Sequence, residues 1–216
     1  MLLFRIKFEK TGIAKYISHL DLSRMFSRAI TRAEIQVEHS EGFNPHPKIV
    51  FPSAISLGTE SFCEFADIKT IGDDSMTEIF DRLKNVFPPG INIKEVYPPQ
   101  SDFKCIDKTR FNIFVKFVKL DDVDIIDNIN KSFEGDVFVE KKPGVTINLK
   151  DYIEDIAIVY VSEGSIKIDA VLKTNQQMYL NPENIVKVIS SKYADTIEDY
   201  SIQKIEMYDK NFSIFR

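Results

Sequence analysis

Cysteine is scarce in this sequence of 216 residues. Its two cysteines, Cys63 and Cys105, lie far apart, and neither belongs to a Cys-x-x-Cys pair. This spacing excludes the paired-cysteine patterns of zinc ribbons and iron–sulfur clusters. Cys63 follows Phe62 in a predicted strand, which favours an inert core thiol over a nucleophile. We therefore expect two free thiols that hold no metal.

Long hydrophobic runs are equally scarce. The apolar residues that open the chain are too few for a signal peptide, and no segment approaches the ~20 apolar residues of a membrane-spanning helix. We therefore expect a cytoplasmic protein with no membrane partner. The apolar fraction of 44% is nevertheless normal for a globular protein with a hydrophobic core.

Positive charge is in deficit over the whole chain but not at its start. The formal net charge is −5, which argues against general binding of nucleic acid, and we expect no DNA partner. Residues 1–50 hold eight Lys and Arg against five Asp and Glu, a local charge of +3 that leaves −8 for the rest. A basic region on an acidic body favours one local binding site.

The segment 18–47 carries the most distinctive pattern and contains all three histidines of the chain. Ser18 is a favoured helix N-cap, and Asp21 follows three positions later, where an acid satisfies the cap amide and the positive end of a helix. The apolar residues that follow recur with the spacing of one buried helical face. They are Leu22, Met25, Phe26, Ala29, Ile30 and Ala33.

Three arginines, Arg24, Arg28 and Arg32, follow at intervals of four and therefore stack along another side of this predicted helix. Asp21 lies on the same side and can pair with Arg24. Two hypotheses remain open for the stripe: a solvated face, or a ridge that binds phosphate, because guanidinium groups match phosphate oxygens. Further phosphate-binding candidates, on one face of the first predicted strand, are Arg5 and Lys7.

The loop after this helix is stiff. Pro45 and Pro47 fix their own φ and hold the preceding residues, Asn44 and His46, in extended conformations, so both side chains point the same way. An imidazole ionises at about pH 6.5, so it can donate, accept or carry charge at cellular pH. We predict a small polar site for substrate or partner, made of Ser18, His19, Asp21, Asn44 and His46. The alternative is that His46 only locks a tight turn.

The periodicities and helix signals predict the element order β-α-β-β-α-β twice, which is an α+β fold of two tandem ferredoxin-like halves with antiparallel sheets. The halves are residues 1–98 and 109–216, joined by a proline-rich connector at 98–108. In the first half we expect strands at 2–9, 48–56, 61–70 and 91–97, and helices after Ser18 and at 76–87. In the second half we expect strands at 110–119, 155–162, 165–173 and 197–208, helices at 121–133 and 182–193, and two short strands around Pro143.

Three stretches of the first half form a recognisable set. They are Ser18-His19-Leu20-Asp21, Gly42-Phe43-Asn44-Pro45-His46-Pro47, and Leu57-Gly58-Thr59-Glu60-Ser61 followed by Glu64 and Asp67. The set resembles the signature of the radical SAM-linked protein family, whose members are similar to a domain fused to a radical SAM protein or encoded beside one. The resemblance implies an accessory module without a cofactor of its own. S-adenosylmethionine and an iron–sulfur cluster are then expected on the partner.

Three functions remain in view. The first is a non-catalytic module that binds a radical SAM enzyme or its substrate. The second is an RNA-binding module that presents a nucleotide. The third is a small hydrolase or metal-dependent enzyme that uses His46 or His19, with Glu64 or Asp67 as the partner acid. A basic groove favours RNA, an apolar patch favours a protein partner, and a deep pocket with converging His and Asp favours an enzyme.

Overall fold

The computed structural model of the chain describes residues 2–118, 125–162, 164–193 and 196–216. The protein is mixed α+β, and its strands pair antiparallel within each of two compact units. The first unit runs to Phe103 and includes Arg216, and the second is Lys104–Phe215. Within the described ranges, no helix is long and apolar enough to cross a membrane.

The first unit contains four strands and two helices. In chain order they are β1 (Leu2–Lys10), α1 (His19–Arg32), β2 (Ile49–Val50), β3 (Glu60–Thr70), α2 (Met76–Leu83) and β4 (Ile91–Tyr97). A 3-10 turn at Gly12–Tyr16 joins β1 to α1. The strands form one sheet in the order β4-β1-β3-β2.

The core of the first unit lies between this sheet and its helices. Phe4, Ile6 and Phe8 alternate along β1, are fully buried, and pack against the apolar side of α1. The buried residues of α1 are Leu22, Phe26, Ala29 and Ile30, which confirms the predicted core face. Because that side is covered by the sheet, the arginine side of α1 is left at the surface.

The described residues of the second unit form six strands and two helices. They are β5 (Lys108–Phe117), α3 (Ile125–Lys131), β6 (Phe138–Lys142), β7 (Val145–Asn148), β8 (Ile153–Ser162), β9 (Ser165–Lys173), α4 (Glu183–Tyr193) and β10 (Ile197–Tyr208). Four strands form a sheet in the order β10-β5-β9-β8, and β6 pairs with β7 in a separate hairpin. Short 3-10 turns lie at Phe103–Cys105 and Leu149–Asp151.

Several element bounds differ from the sequence-based expectation. β2 covers two residues instead of the predicted 48–56, because Pro52 has no N–H to donate to a strand ladder and the chain bends there. α2 ends at Leu83 rather than 87, and the chain turns before the two prolines that follow. The described part of the predicted helix 121–133 begins at Ile125, and residues 121–124 lie outside the described residues.

Candidate functional site

The start of α1 is organised by its cap. The Asp21 amide donates to the Ser18 hydroxyl oxygen at 3.1 Å, and the Ser18 hydroxyl donates to the Asp21 carboxylate at 2.7 Å. This confirms the predicted N-cap. The hydrogen bond from Ser18, followed by that from Arg24, holds the pKa of Asp21 below its ordinary value. Asp21 is therefore a fixed negative charge at neutral pH.

An open groove of about 570 Å³ runs along the exposed side of α1 and is called the arginine groove below. Its lining residues are Ile17, Asp21, Arg24, Met25, Arg28, Arg32, Val86, Phe87 and Pro88. The groove therefore contains the entire arginine stripe predicted from the sequence. It combines three guanidinium groups and one carboxylate with an apolar wall, a basic groove of the kind that favours an anionic ligand.

The three arginines differ in how they are held. Arg24 donates to Asp21 at 3.2 Å, and Arg32 donates to the backbone carbonyl of Val86 at 2.7 Å. Arg28 lies between them along the helix and has no hydrogen bond or ion pair with any residue of the described ranges. Since a guanidinium carries five N–H donors, all three arginines retain donors for a ligand, and Arg28 retains the most.

The apolar wall comes from the segment after α2. The Phe87 ring packs against Phe26 of α1, with ring centroids 4.7 Å apart, and the amide of Val86 donates to the Leu83 carbonyl at 3.2 Å. These contacts hold the wall against the helix. The sequence analysis missed this wall, because the double proline after Phe87 signalled only the end of a helix.

The structure contradicts the prediction that Arg5 binds phosphate. Its side chain is fully buried and donates twice to the Asp67 carboxylate, at 2.7 Å each. Its guanidinium also lies 4.2 Å from the centre of the Phe103 ring. A buried, bidentate arginine is committed to the fold and does not present its charge to a surface ligand.

Lys7 lies on the same face of β1 as Arg5, opposite to the face that packs against α1. It is half-buried, with its ammonium 5.9 Å from the centre of the Phe65 ring. Lys7 is therefore not part of the arginine groove, and its role as a phosphate ligand stays a prediction.

The loop 40–46, which carries His46, is held by hydrogen bonds between its own residues. The Ser40 amide donates to the His46 carbonyl at 2.8 Å, and the His46 amide donates to the Ser40 hydroxyl oxygen at 3.1 Å. The His46 Nδ1 atom lies 3.0 Å from the same hydroxyl and 3.3 Å from the Asn44 carbonyl oxygen. Phe43 is fully exposed at the loop tip. These contacts favour the loop-locking role that was left open for His46.

The other two histidines have separate environments. The His19 ring packs edge-on against Phe51, with centroids 5.4 Å apart, and His39 Nδ1 lies 2.9 Å from the Val37 carbonyl oxygen. In the part of the chain that the structure describes, no three His, Cys, Asp or Glu residues are grouped to hold a metal ion.

The polar contacts of Ser18 and Asp21 stay within α1 and its cap, and those of Asn44 and His46 stay in the loop. A single site made of all five predicted residues therefore stays a prediction.

Residues 4–182 match the family described as uncharacterised proteins conserved in bacteria, DUF2344. The chain belongs to the DUF2344 family. The match spans most of both units, so the arginine groove lies entirely inside the family region. No curated protein sequence matches this DUF2344 chain.

Solved structures show what the DUF2344 fold is similar to. A Cbf5–Nop10–Gar1 complex contains a chain with a TM-score of 0.56 and 6% identity, matched over 94% of this chain and 48% of that one. An H/ACA RNP bound to a substrate RNA containing 2′-deoxyuridine gives a TM-score of 0.53 and 7% identity, over 97% and 48%. The DUF2344 chain thus spans about half the length of these chains, and at such identity the likeness shows the fold alone.

Proposed function

We propose that this DUF2344 chain is an RNA-binding accessory module that holds its ligand by phosphate groups in the arginine groove. The observation that carries the proposal is the placement of Arg24, Arg28 and Arg32 along one open groove. Guanidinium groups donate in pairs to phosphate oxygens, so this groove suits a polyanion better than a neutral ligand.

The spacing of the arginines supports a strand with repeated charges. Residues four apart on a helix are separated by about 6 Å along its axis. That distance is on the order of one nucleotide of an extended strand, so neighbouring arginines of the stripe are spaced to suit the repeated charges of such a strand, and Arg28 and Arg32 are the two that no carboxylate pairs within the described ranges. The proteins of similar fold include one solved as an RNP bound to RNA, which is compatible with the proposal.

The proposal extends to a partner. The resemblance of three sequence stretches to the radical SAM-linked family supports a cytoplasmic radical SAM enzyme as the catalyst. That enzyme would supply S-adenosylmethionine and an iron–sulfur cluster, while this chain binds and presents the RNA. Each unit is then proposed to be one ferredoxin-like half. The strand orders β4-β1-β3-β2 and β10-β5-β9-β8 support this.

No observation favours a hydrolase or metal enzyme over this proposal. Asp67, one partner acid considered for His46, is engaged by the buried Arg5 at 2.7 Å. His46 directs Nδ1 into its own loop. General acid–base catalysis needs such groups within hydrogen-bond reach of a shared substrate, and these groups are committed elsewhere.

The test is an anisotropy titration of a labelled short RNA with the intact chain. Arg28→Ala combined with Arg32→Ala should weaken binding about tenfold or more, because hydrogen bonds to charged groups contribute ~1.5–3 kcal/mol each. The melting temperature should fall only slightly, since exposed charges contribute roughly 0–1 kcal/mol to stability and the hydrogen bond that Arg32 donates to Val86 is at the surface.

The matched control removes the same charge elsewhere. Lys116→Ala combined with Lys187→Ala takes two exposed cations from the second unit and should leave the affinity within about twofold of wild type. If both double variants weaken RNA binding equally, the affinity depends only on the net charge of the protein, and the arginine groove is not the binding site.

A further inference from the structure

We infer that the arginine groove receives an unpaired nucleotide, with its base on the apolar wall and its phosphate on Arg28. This inference rests on the proposed function and specifies the RNA that the groove accepts. Three features of the groove support it: the presence of both charged and apolar lining residues, the volume, and the position of Asp21.

The arginines of the groove determine where the phosphate binds. Arg28 lies centrally in the stripe, and all its N–H donors are uncommitted within the described ranges. By contrast, Arg24 uses one donor on Asp21, and Arg32 uses one on the Val86 carbonyl. The Asp21 carboxylate repels an anion at the start of the helix and partly neutralises Arg24. The most favourable place for a phosphate is therefore between Arg28 and Arg32.

The apolar residues of the groove determine where the base binds. Phe87 and Pro88 of the wall, together with Met25 of α1, line the groove beside the arginines and offer no polar side chain. A sugar–phosphate backbone alone leaves this wall in contact with water. A base has an apolar face that covers such a wall, and stacking on aromatic side chains is the usual way in which proteins hold unpaired bases.

The size of the groove agrees with one nucleotide. A volume of about 570 Å³ falls within the roughly 300–1,000 Å³ of small-molecule sites. In a duplex the bases are stacked and paired inside the helix, so their faces cannot reach Phe87. The groove should therefore discriminate against duplex RNA, although both forms carry the same phosphates.

The experiment compares three ligands of equal length by competition against a labelled single strand. They are the single-stranded RNA, the matching blunt duplex, and a sugar–phosphate strand without bases. The base-free strand and the duplex should bind roughly five- to 150-fold more weakly, the equivalent of ~1–3 kcal/mol per stacked base.

A variant of the apolar wall and its control distinguish a lost contact with the base from a loss of protein stability. Phe87→Leu should weaken the base-bearing single strand and leave the base-free strand unchanged. Phe80→Leu changes another half-buried phenylalanine of the same core, outside the groove, and should leave all three affinities unchanged.

Three results would overturn the inference. If all three ligands bind equally and all are weakened by Arg28→Ala, the groove binds only phosphate, and the proposed function stands without the inference. If Phe80→Leu weakens the single strand as much as Phe87→Leu does, the wall acts only through the fold. If no RNA form binds the intact chain, the proposed function fails together with the inference.

Discussion

Two arginines of the first unit show how position decides the role of a residue. Arg5 meets Asp67 because the antiparallel register of β1 and β3 sets these residues opposite each other. Arg28 lies on a helix side that no strand covers, so its charge stays available. The sequence analysis grouped both as phosphate ligands, because alternation along a strand shows the face of a side chain but not its partner 62 residues away.

Tyr97 supplies a test at the same scale. Its hydroxyl oxygen is buried and has no hydrogen-bond partner among the described residues. Burial raises the pKa of Tyr97 to about 12. Tyr97→Phe removes a desolvated group without breaking a bond, so the free energy of unfolding at pH 7 should stay equal or rise by up to about 1 kcal/mol. Urea unfolding checks this, and a loss above that size would reveal a hydrogen bond to the hydroxyl.

The same variant should also change the stability of the protein at alkaline pH. The folded pKa lies above the unfolded value of about 10, so the folded state keeps this proton longer. The contribution of Tyr97 to stability is therefore complete below about pH 10 and is lost as the pH rises towards about 12. Tyr97→Phe should flatten the fall in the urea midpoint over that range, and an unchanged fall would contradict the assigned pKa.

At the scale of elements, local signals were enough to predict where α1 and α2 begin. Ser18 and Ser75 both cap their helices as predicted, and Ser75 forms a complete capping box with Glu78. The groove wall was not predictable, because Phe87 meets Phe26 only when the segment after α2 packs against α1. Long-range packing of this kind leaves no periodic signal in a single sequence.

The turn that follows the wall gives a prediction at this scale. Gly90 has a φ of +92°, and an added Cβ would meet the Thr11 carbonyl oxygen and lie 2.8 Å from the Ala14 Cβ. Gly90→Ala should therefore lower the free energy of unfolding by more than about 2 kcal/mol, since strain and overpacking each cost ~1–3 kcal/mol. Chemical denaturation measures the change.

Gly144 is the matched control for Gly90. Its φ of +78° is similarly positive, but no atom lies within 4 Å of an added Cβ. Gly144→Ala should cost only the backbone strain, about 1 kcal/mol. Equal losses in the two variants would mean that the contact with Thr11 and Ala14 relaxes at no cost.

At the scale of the whole molecule, the order of elements was the most informative part of the sequence. In each unit the first and third strands of the four-stranded sheet pair with each other, and a bidentate Arg–Asp pair joins them: Arg5 with Asp67, and Arg110 with Asp169. The hydrogen bonds that Arg110 donates to the Asp169 carboxylate raise the pKa of Arg110. The alternation of apolar and polar residues predicts strands and helices, but it does not predict ion pairs between strands that are far apart in the sequence.

The proposed function depends on whether the arginine groove holds phosphate. The direct measurement is the slope of log K against log salt for single-stranded RNA, taken for wild type, Arg28→Ala and the control Lys187→Ala. Each lost phosphate contact should reduce the magnitude of the slope by about 0.7. We predict this reduction for Arg28→Ala and a slope equal to wild type for Lys187→Ala. Equal slopes for wild type and Arg28→Ala would show that Arg28 neutralises no phosphate, which would contradict the account.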